Sequence, residues 1–125
     1  MQIPERGNRI QAFKEIHRVL RKNGVFIFST HVRDSDSEWK SFWEEEKERW
    51  AKGEQDSRIF EYGDRIVEED GRLIFLHFPD REEVVSYLKA AGLKLIDEVW
   101  LFEEVEESDA VKKRAAKCKM WVAQK

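Results

Sequence analysis

The sequence predicts an α/β fold with a small mixed sheet, and three stretches carry that prediction. An amphipathic helix over residues 8–23 runs directly into an apolar strand over 25–29. A hairpin follows over 59–78, and a helix beginning at Asp80 leads into a long strand over 93–105. Helices that alternate with strands in this way are typical of α/β domains.

The first helix has one apolar face, and its end is marked by basic residues and a turn. Asn8 can cap its start, and the pair Asn23-Gly24 tolerates the left-handed conformation that closes a helix. Residues 25–28 follow without any polar alternation, which predicts a strand covered on both faces. The apolar face comprises Ile10, Phe13, Ile16, Val19 and Leu20.

A second helix is predicted over residues 38–52, with an aromatic face opposite a strongly charged one. Trp39, Phe42, Trp43 and Trp50 are spaced to share the aromatic face. Exposed aromatic patches of this size are rare on monomers, so we expect this face to be covered. It would pack in the core, form a subunit interface or cover a pocket as a lid.

The hairpin and the third helix have strong local signals. Asp70-Gly71 between two β-prone runs predicts the hairpin turn, and Tyr62-Gly63-Asp64 interrupts the first arm as a candidate bulge. Asp80 with Glu83 three residues later fits a capped helix start, and Gly92 ends that helix. The strand over 93–105 is expected to bend near Asp97, residues 103–117 to form an exposed connection, and residues 118–124 to form the last strand.

Composition bounds the class of protein. The 125 residues carry 23 basic and 26 acidic side chains, a balance that predicts a solvated surface and favours neither a nucleic-acid nor a membrane partner. The single cysteine cannot form an internal disulfide, and no run resembles a membrane span or signal peptide. We therefore expect a single cytoplasmic domain over 1–125.

One segment resembles a known family. The run EIHRVLRKNGVFIFST, from Glu15 to Thr30, resembles the part of class I S-adenosylmethionine-dependent methyltransferases in which a helix ends in E-x-x-R-V-L-(K/R)-P-G-G and enters the fifth strand. Lys22 and Asn23 replace the usual Pro and Gly. Residues 82–93 are similar to the helix before strand six of this family, and Met120-Trp121-Val122-Ala123 is similar to its last strand.

The resemblance implies the second half of a Rossmann-like methyltransferase domain, of the type 11-like kind. Strands five, seven and six would form the sheet, with the last strand antiparallel between the other two, and residues 36–78 would be an inserted helix and hairpin. The family holds S-adenosylmethionine with a G-x-G turn in its first half, whereas the glycines here are isolated. We therefore expect no cofactor-binding residues and no cofactor binding by this chain alone.

The implied function is methyl transfer to a small-molecule acceptor, with this chain supplying the substrate side. Thr30 and His31 end a strand, where open α/β sheets place ligands, and His31 could accept a proton from a substrate hydroxyl or amine. The alternative is that His31 only caps the strand. The predicted substrate-binding residues are Thr30, His31, Arg33, Trp39 and Trp43, with Asp34 and Asp36 as further residues of a pocket mouth.

Other reactive side chains fit structural roles better. His77 is expected to be half-exposed in its hairpin arm, His17 to face solvent, and Cys118 to be a small packed residue. Since no two of these residues have the spacing of metal ligands along the chain, we expect no zinc site.

A second class of function remains open, which is a non-catalytic dimerisation or interaction module derived from a methyltransferase. In the family topology the strand at Val25 would pair with a fourth strand outside this sequence, and an open apolar edge seeks a partner. That partner would be a second copy of the chain or a chain supplying the N-terminal half.

Overall fold

The computed structural model describes residues 1–33, 37–104, 108, 109, 111, 112 and 118–125, apart from the side chains of Ser37, Glu38, Phe102 and Glu104. The elements in chain order are α1 (Arg6–Val19), β1 (Val25–His31), α2 (Ser37–Lys52), β2 (Asp64–Glu69), β3 (Arg72–His77), α3 (Arg81–Ala90), β4 (Lys94–Trp100), α4 (Leu101–Glu104) and β5 (Cys118–Gln124). In this part of the chain, no helix combines the length and apolar character needed to cross a membrane.

The main sheet has the predicted α/β topology. Its order is β1-β5-β4, with β5 antiparallel to both neighbours. The register shifts between Leu95 and Asp97, which agrees with the predicted bend near Asp97. The strand was expected to continue to Val105, but β4 ends at Trp100 and residues Leu101–Glu104 form α4, so that expectation is wrong for these four residues. Val105 and most of the connection that follows it lie outside the described residues.

Helices α1 and α3 pack on one face of this sheet. Phe13 of α1 sits edge-on against Phe28 of β1, with ring centroids 5.2 Å apart. Trp121 of β5 is fully buried, and its indole Nε1 donates to the Thr30 hydroxyl at 2.9 Å. The core is completed by apolar and aromatic side chains on both helices and the strands: Val32, Val84, Tyr87, Leu88, Ala91, Leu93 and Ala123.

The opposite face of the sheet corrects one prediction. Val25 and Ile27 alternate with the core residues of β1 and are 47% and 58% exposed, so β1 is not covered on both faces within the described chain. Its free edge is also open, because β1 pairs only with β5 in the described sheet. The predicted open apolar edge is therefore present.

Helix α1 also differs from its prediction at both ends. It begins at Arg6 after Glu5, which has φ 61°, so Asn8 lies inside the helix and does not cap it. It ends at Val19, because Leu20 is already extended, and Asn23 takes the expected left-handed conformation at φ 63° in the following turn. Val19 is 66% exposed and lies outside the apolar face.

The hairpin turn forms as predicted, whereas its first arm is shorter. Asp70 and Gly71 both have positive φ, at 51° and 72°, as a type I′ turn requires. Tyr62 and Gly63 form a turn that precedes β2 rather than a bulge inside the strand. Helix α3 starts as expected, with the Glu83 backbone N–H donating to the carboxylate of its N-cap Asp80 at 2.8 Å.

Candidate substrate pocket and buried ion network

A cavity of about 500 Å³ lies where the carboxyl end of β1 meets α2 and the hairpin. Trp39 and Phe78 form an aromatic wall, with ring centroids 4.9 Å apart, and His31 lies 5.9 Å from Phe78. The guanidinium of Arg65 lies over the ring of Phe42, 4.7 Å from its centroid. The side chains that line the cavity are those of His31, Trp39, Arg65, Val67, Glu69, Leu76 and Phe78.

His31 contacts the cysteine directly across the sheet. His31 and Cys118 are register partners of β1 and β5, and the Cys118 sulfur lies 3.2 Å from His31 Nδ1. Burial raises the pKa of the Cys118 thiol, so the thiol stays neutral near pH 7 and is not an activated nucleophile.

The five predicted substrate-binding residues lie in three places. His31 and Trp39 share the cavity just described. Arg33 and Trp43 border a second cavity of about 420 Å³ between α2 and the start of α3. Thr30 is buried and bonded to Trp121 in the core. Asp34 and Asp36 lie outside the described residues.

The aromatic face of α2 packs within the chain. Trp43 is 3% exposed and lies against Phe78, with ring centroids 5.5 Å apart, and the hydroxyl of Tyr62 donates to its backbone carbonyl at 2.8 Å. Trp39 is only half-buried and borders the cavity. Of the expected arrangements, Trp43 therefore shows packing in the core, and Trp39 lies at a pocket.

A buried ion network joins α1, the hairpin and α3 behind this cavity, and its centre is the carboxylate of Glu83. That carboxylate accepts from His77 Nε2 at 2.9 Å, from Arg33 at 3.1 Å and from the Tyr87 hydroxyl. His77 is fully buried, and its Nδ1 lies 2.7 Å from Asp64. The expectation that His77 is half-exposed is wrong, because the fold places a carboxylate at each ring nitrogen.

Arg9 closes the network from α1, and sequence reasoning missed it. Its side chain is fully buried and donates to the Tyr87 hydroxyl at 3.0 Å, to the Ile3 carbonyl at 3.0 Å and to Glu61. The one available signal is that Arg9 precedes Phe13 by four residues and so lies on the same helix face. His17 is half-buried and borders Gly92 rather than facing solvent.

The network holds its carboxylates in the charged form. Burial alone would raise the pKa of Glu83, yet hydrogen bonds from His77 and Tyr87 and the nearby charge of Arg33 outweigh it and lower this pKa to about 2. The pKa of Asp64 is also lowered, because bonds from His77 and from the backbone N–H groups of Phe60 and Glu61 outweigh its burial.

The same residues include a group with metal-ligand proximity. Ligand atoms of Glu61, Asp64 and His77 lie within 4.8 Å of one another. Their spacing along the sequence did not predict this proximity. Each already has a partner, since Arg9 binds Glu61, both nitrogens of His77 meet carboxylates, and Asp64 accepts two backbone N–H groups. These donors fit a structural ion network better than a metal centre.

The fold matches about half of a solved methyltransferase structure. A solved structure of a S-adenosylmethionine-dependent methyltransferase from Methanosarcina mazei superimposes with a TM-score of 0.65 over 99% of this chain and 54% of that chain, at 15% sequence identity. The chain thus spans about half the length of that protein. No family model and no curated protein matches the sequence.

Proposed function

We propose that this chain is the substrate-side part of a S-adenosylmethionine-dependent methyltransferase domain, acting on a small-molecule acceptor. The cavity at the carboxyl end of β1 carries this proposal, since open α/β sheets bind ligands at that end of their strands. The half-domain fold supports it. S-adenosylmethionine would supply the methyl group.

His31 is the proposed proton acceptor for the substrate. It borders the cavity, and imidazole is the side-chain base suited in general to removing a proton from a hydroxyl or amine near neutral pH. Trp39 and Phe78 would hold a flat acceptor against the cavity wall. The glycines of this chain do not form a G-x-G turn after a strand, so the proposal gives its residues no part in binding the cofactor.

The cofactor side would dock on β1. Its unpaired edge, together with Val25 and Ile27, offers an apolar surface that a neighbouring parallel strand and a helix could cover. A polypeptide that carries a strand followed by a G-x-G turn has the chemistry that this surface needs.

The test combines sequence and calorimetry. The DNA upstream of this coding region is searched for an apolar strand followed by G-x-G, and that segment is co-expressed with the chain. S-adenosylhomocysteine is then titrated into the chain alone and into the pair. We expect binding by the pair only. Tight binding by the chain alone would contradict the proposal that the cofactor site lies on the other segment. No binding by the pair would contradict the proposed function.

A second candidate, a non-catalytic dimerisation module, is favoured by the same open edge. Two copies could pair their β1 edges into one continuous sheet. The solution mass of the chain alone decides between the two candidates, since a stable dimer without any cofactor binding favours the module.

The exposed isoleucine of β1 gives that measurement a matched variant. Ile27→Lys should abolish association through β1 with either partner, because it places a charge on a surface 58% exposed in the free chain. Leu73→Lys on the hairpin is the control, since Leu73 is 64% exposed and remote from that edge in the sheet topology. Association that survives Ile27→Lys would rule out β1 as the docking surface.

A further inference from the structure

The cavity contains a cation that forms no ion pair with a described residue. Arg65 is half-buried, and among the described residues no carboxylate lies within 4.0 Å of its guanidinium. It lies over the faces of Phe42 and Trp39, at 4.7 and 5.9 Å from the ring centroids. It also borders a neighbouring cavity, whose acidic residues are Glu46, Asp56 and Asp64. Aromatic faces hold a guanidinium in place but leave its N–H donors without acceptors.

The one acid that lines the cavity is too distant to neutralise this cation. Glu69 lies four residues further along β2, at the hairpin turn, where it is the register partner of Arg72. Four residues of strand span about 13 Å. The two ends of the cavity therefore differ in charge, and the donor-rich end lies beside the aromatic wall.

We propose that the acceptor bound here is a small, flat molecule that carries a carboxylate, with Arg65 as the residue that binds this group. A guanidinium recognises a carboxylate through two parallel N–H donors, and the walls formed by Trp39, Phe78 and Leu76 would cover an aromatic or similarly flat body. The volume of about 500 Å³ accommodates a ligand of one or two rings.

The role of this ligand as a methyl acceptor rests on the proposed function. The anion site itself can be tested on this chain alone. The probes are 4-hydroxybenzoate, its neutral amide 4-hydroxybenzamide, and the cation tyramine, each titrated into isotope-labelled chain by NMR. The indole resonance of Trp39 reports binding in the cavity.

We expect 4-hydroxybenzoate to shift the Trp39 indole resonance and to bind on the order of ten- to one-hundredfold more tightly than the amide. Arg65→Gln should abolish that preference, while Arg65→Lys, which keeps the charge but loses the planar fork, should retain part of it. The control is Arg72→Gln, an exposed arginine of the same hairpin that does not line the cavity, and it should leave the preference unchanged.

Two results would overturn the inference. One is equal or weaker binding of the carboxylate relative to the amide or tyramine, and the other is a carboxylate preference that persists undiminished in a folded Arg65→Gln variant. The test of the carboxylate site and the test of the proposed function can fail independently. Carboxylate binding through Arg65 without S-adenosylhomocysteine binding by the co-expressed pair would contradict only the methyltransferase, and the reverse result would contradict only the carboxylate site.

Discussion

Replacing Glu83 by Gln tests whether its charge holds the buried network together. Gln keeps the shape of the side chain and removes the charge that faces His77 and Arg33. Lowering a carboxyl pKa from 4.5 to about 2 on folding corresponds to about 3 kcal/mol of stability, since each pKa unit is worth about 1.4 kcal/mol. We therefore expect Glu83→Gln to lower the free energy of unfolding by about 3 kcal/mol at pH 7.

The pH dependence makes this prediction specific. Because the pKa of Glu83 is lower in the folded protein than in the unfolded chain, its contribution is full above pH 4.5 and is lost as the pH falls toward 2. The difference between wild type and variant should shrink by about 1 kcal/mol at pH 4 and by about 2 kcal/mol at pH 3.

Urea unfolding at pH 7, 5, 4 and 3 measures these differences. The matched control is Glu82→Gln, an exposed neighbour on the same helical turn, which should change stability by less than about 0.5 kcal/mol at each pH. A wild-type to variant difference that stays constant from pH 7 to pH 3, or that is below about 1 kcal/mol at pH 7, would refute the assignment of a charged Glu83 at the centre of the network.

Two further predictions concern a glycine and the cysteine. Gly63→Ala should destabilise the chain by about 3 kcal/mol or more in urea unfolding, because φ is 103° there and the added Cβ would lie 2.9 Å from the Phe78 backbone carbonyl as well as overlapping the Arg33 guanidinium. Gly53→Ala is its control at about 1 kcal/mol, with φ 72° and open space around the Cβ; similar costs at both positions would refute the steric argument. Cys118 should react with iodoacetamide at pH 8 at least about tenfold more slowly in the folded chain than in urea, because burial raises the pKa of its thiol, and equal rates would contradict that burial.

Local signals in the sequence predicted the elements well where one residue type determines the backbone. Asp80 caps α3, Asp70-Gly71 forms the hairpin turn, and β5 has the predicted bounds. Each of these features depends on residues close together in the chain. The topology of the sheet came from a resemblance and not from local signals.

The ion network was not predictable from sequence because its partners are far apart along the chain. Arg9 and Tyr87 are 78 residues apart, and periodicity carries no information on contacts over such separations. Arginine is also rarely buried, so the residue type gave no signal for the interior position of Arg9, whose charge is compensated there by Glu61. The same limit applies to the cavity. His31 and Trp39 were predicted as substrate-binding residues, but Arg65, which lines the same cavity, was not.

The network also determines how far the hairpin could be exchanged or lost during divergence. Glu61 of that region supplies the countercharge for Arg9 of α1, and His77, which also bonds Asp64, is a hydrogen-bond partner of Glu83 of α3. A descendant that lost this region would leave Arg9 without Glu61 and Glu83 without its bond to His77, and removing one partner from a buried ion pair costs several kcal/mol. Arg33 would still pair with Glu83, so shortening of this region would select first for replacement of Arg9, and these two segments are expected to covary.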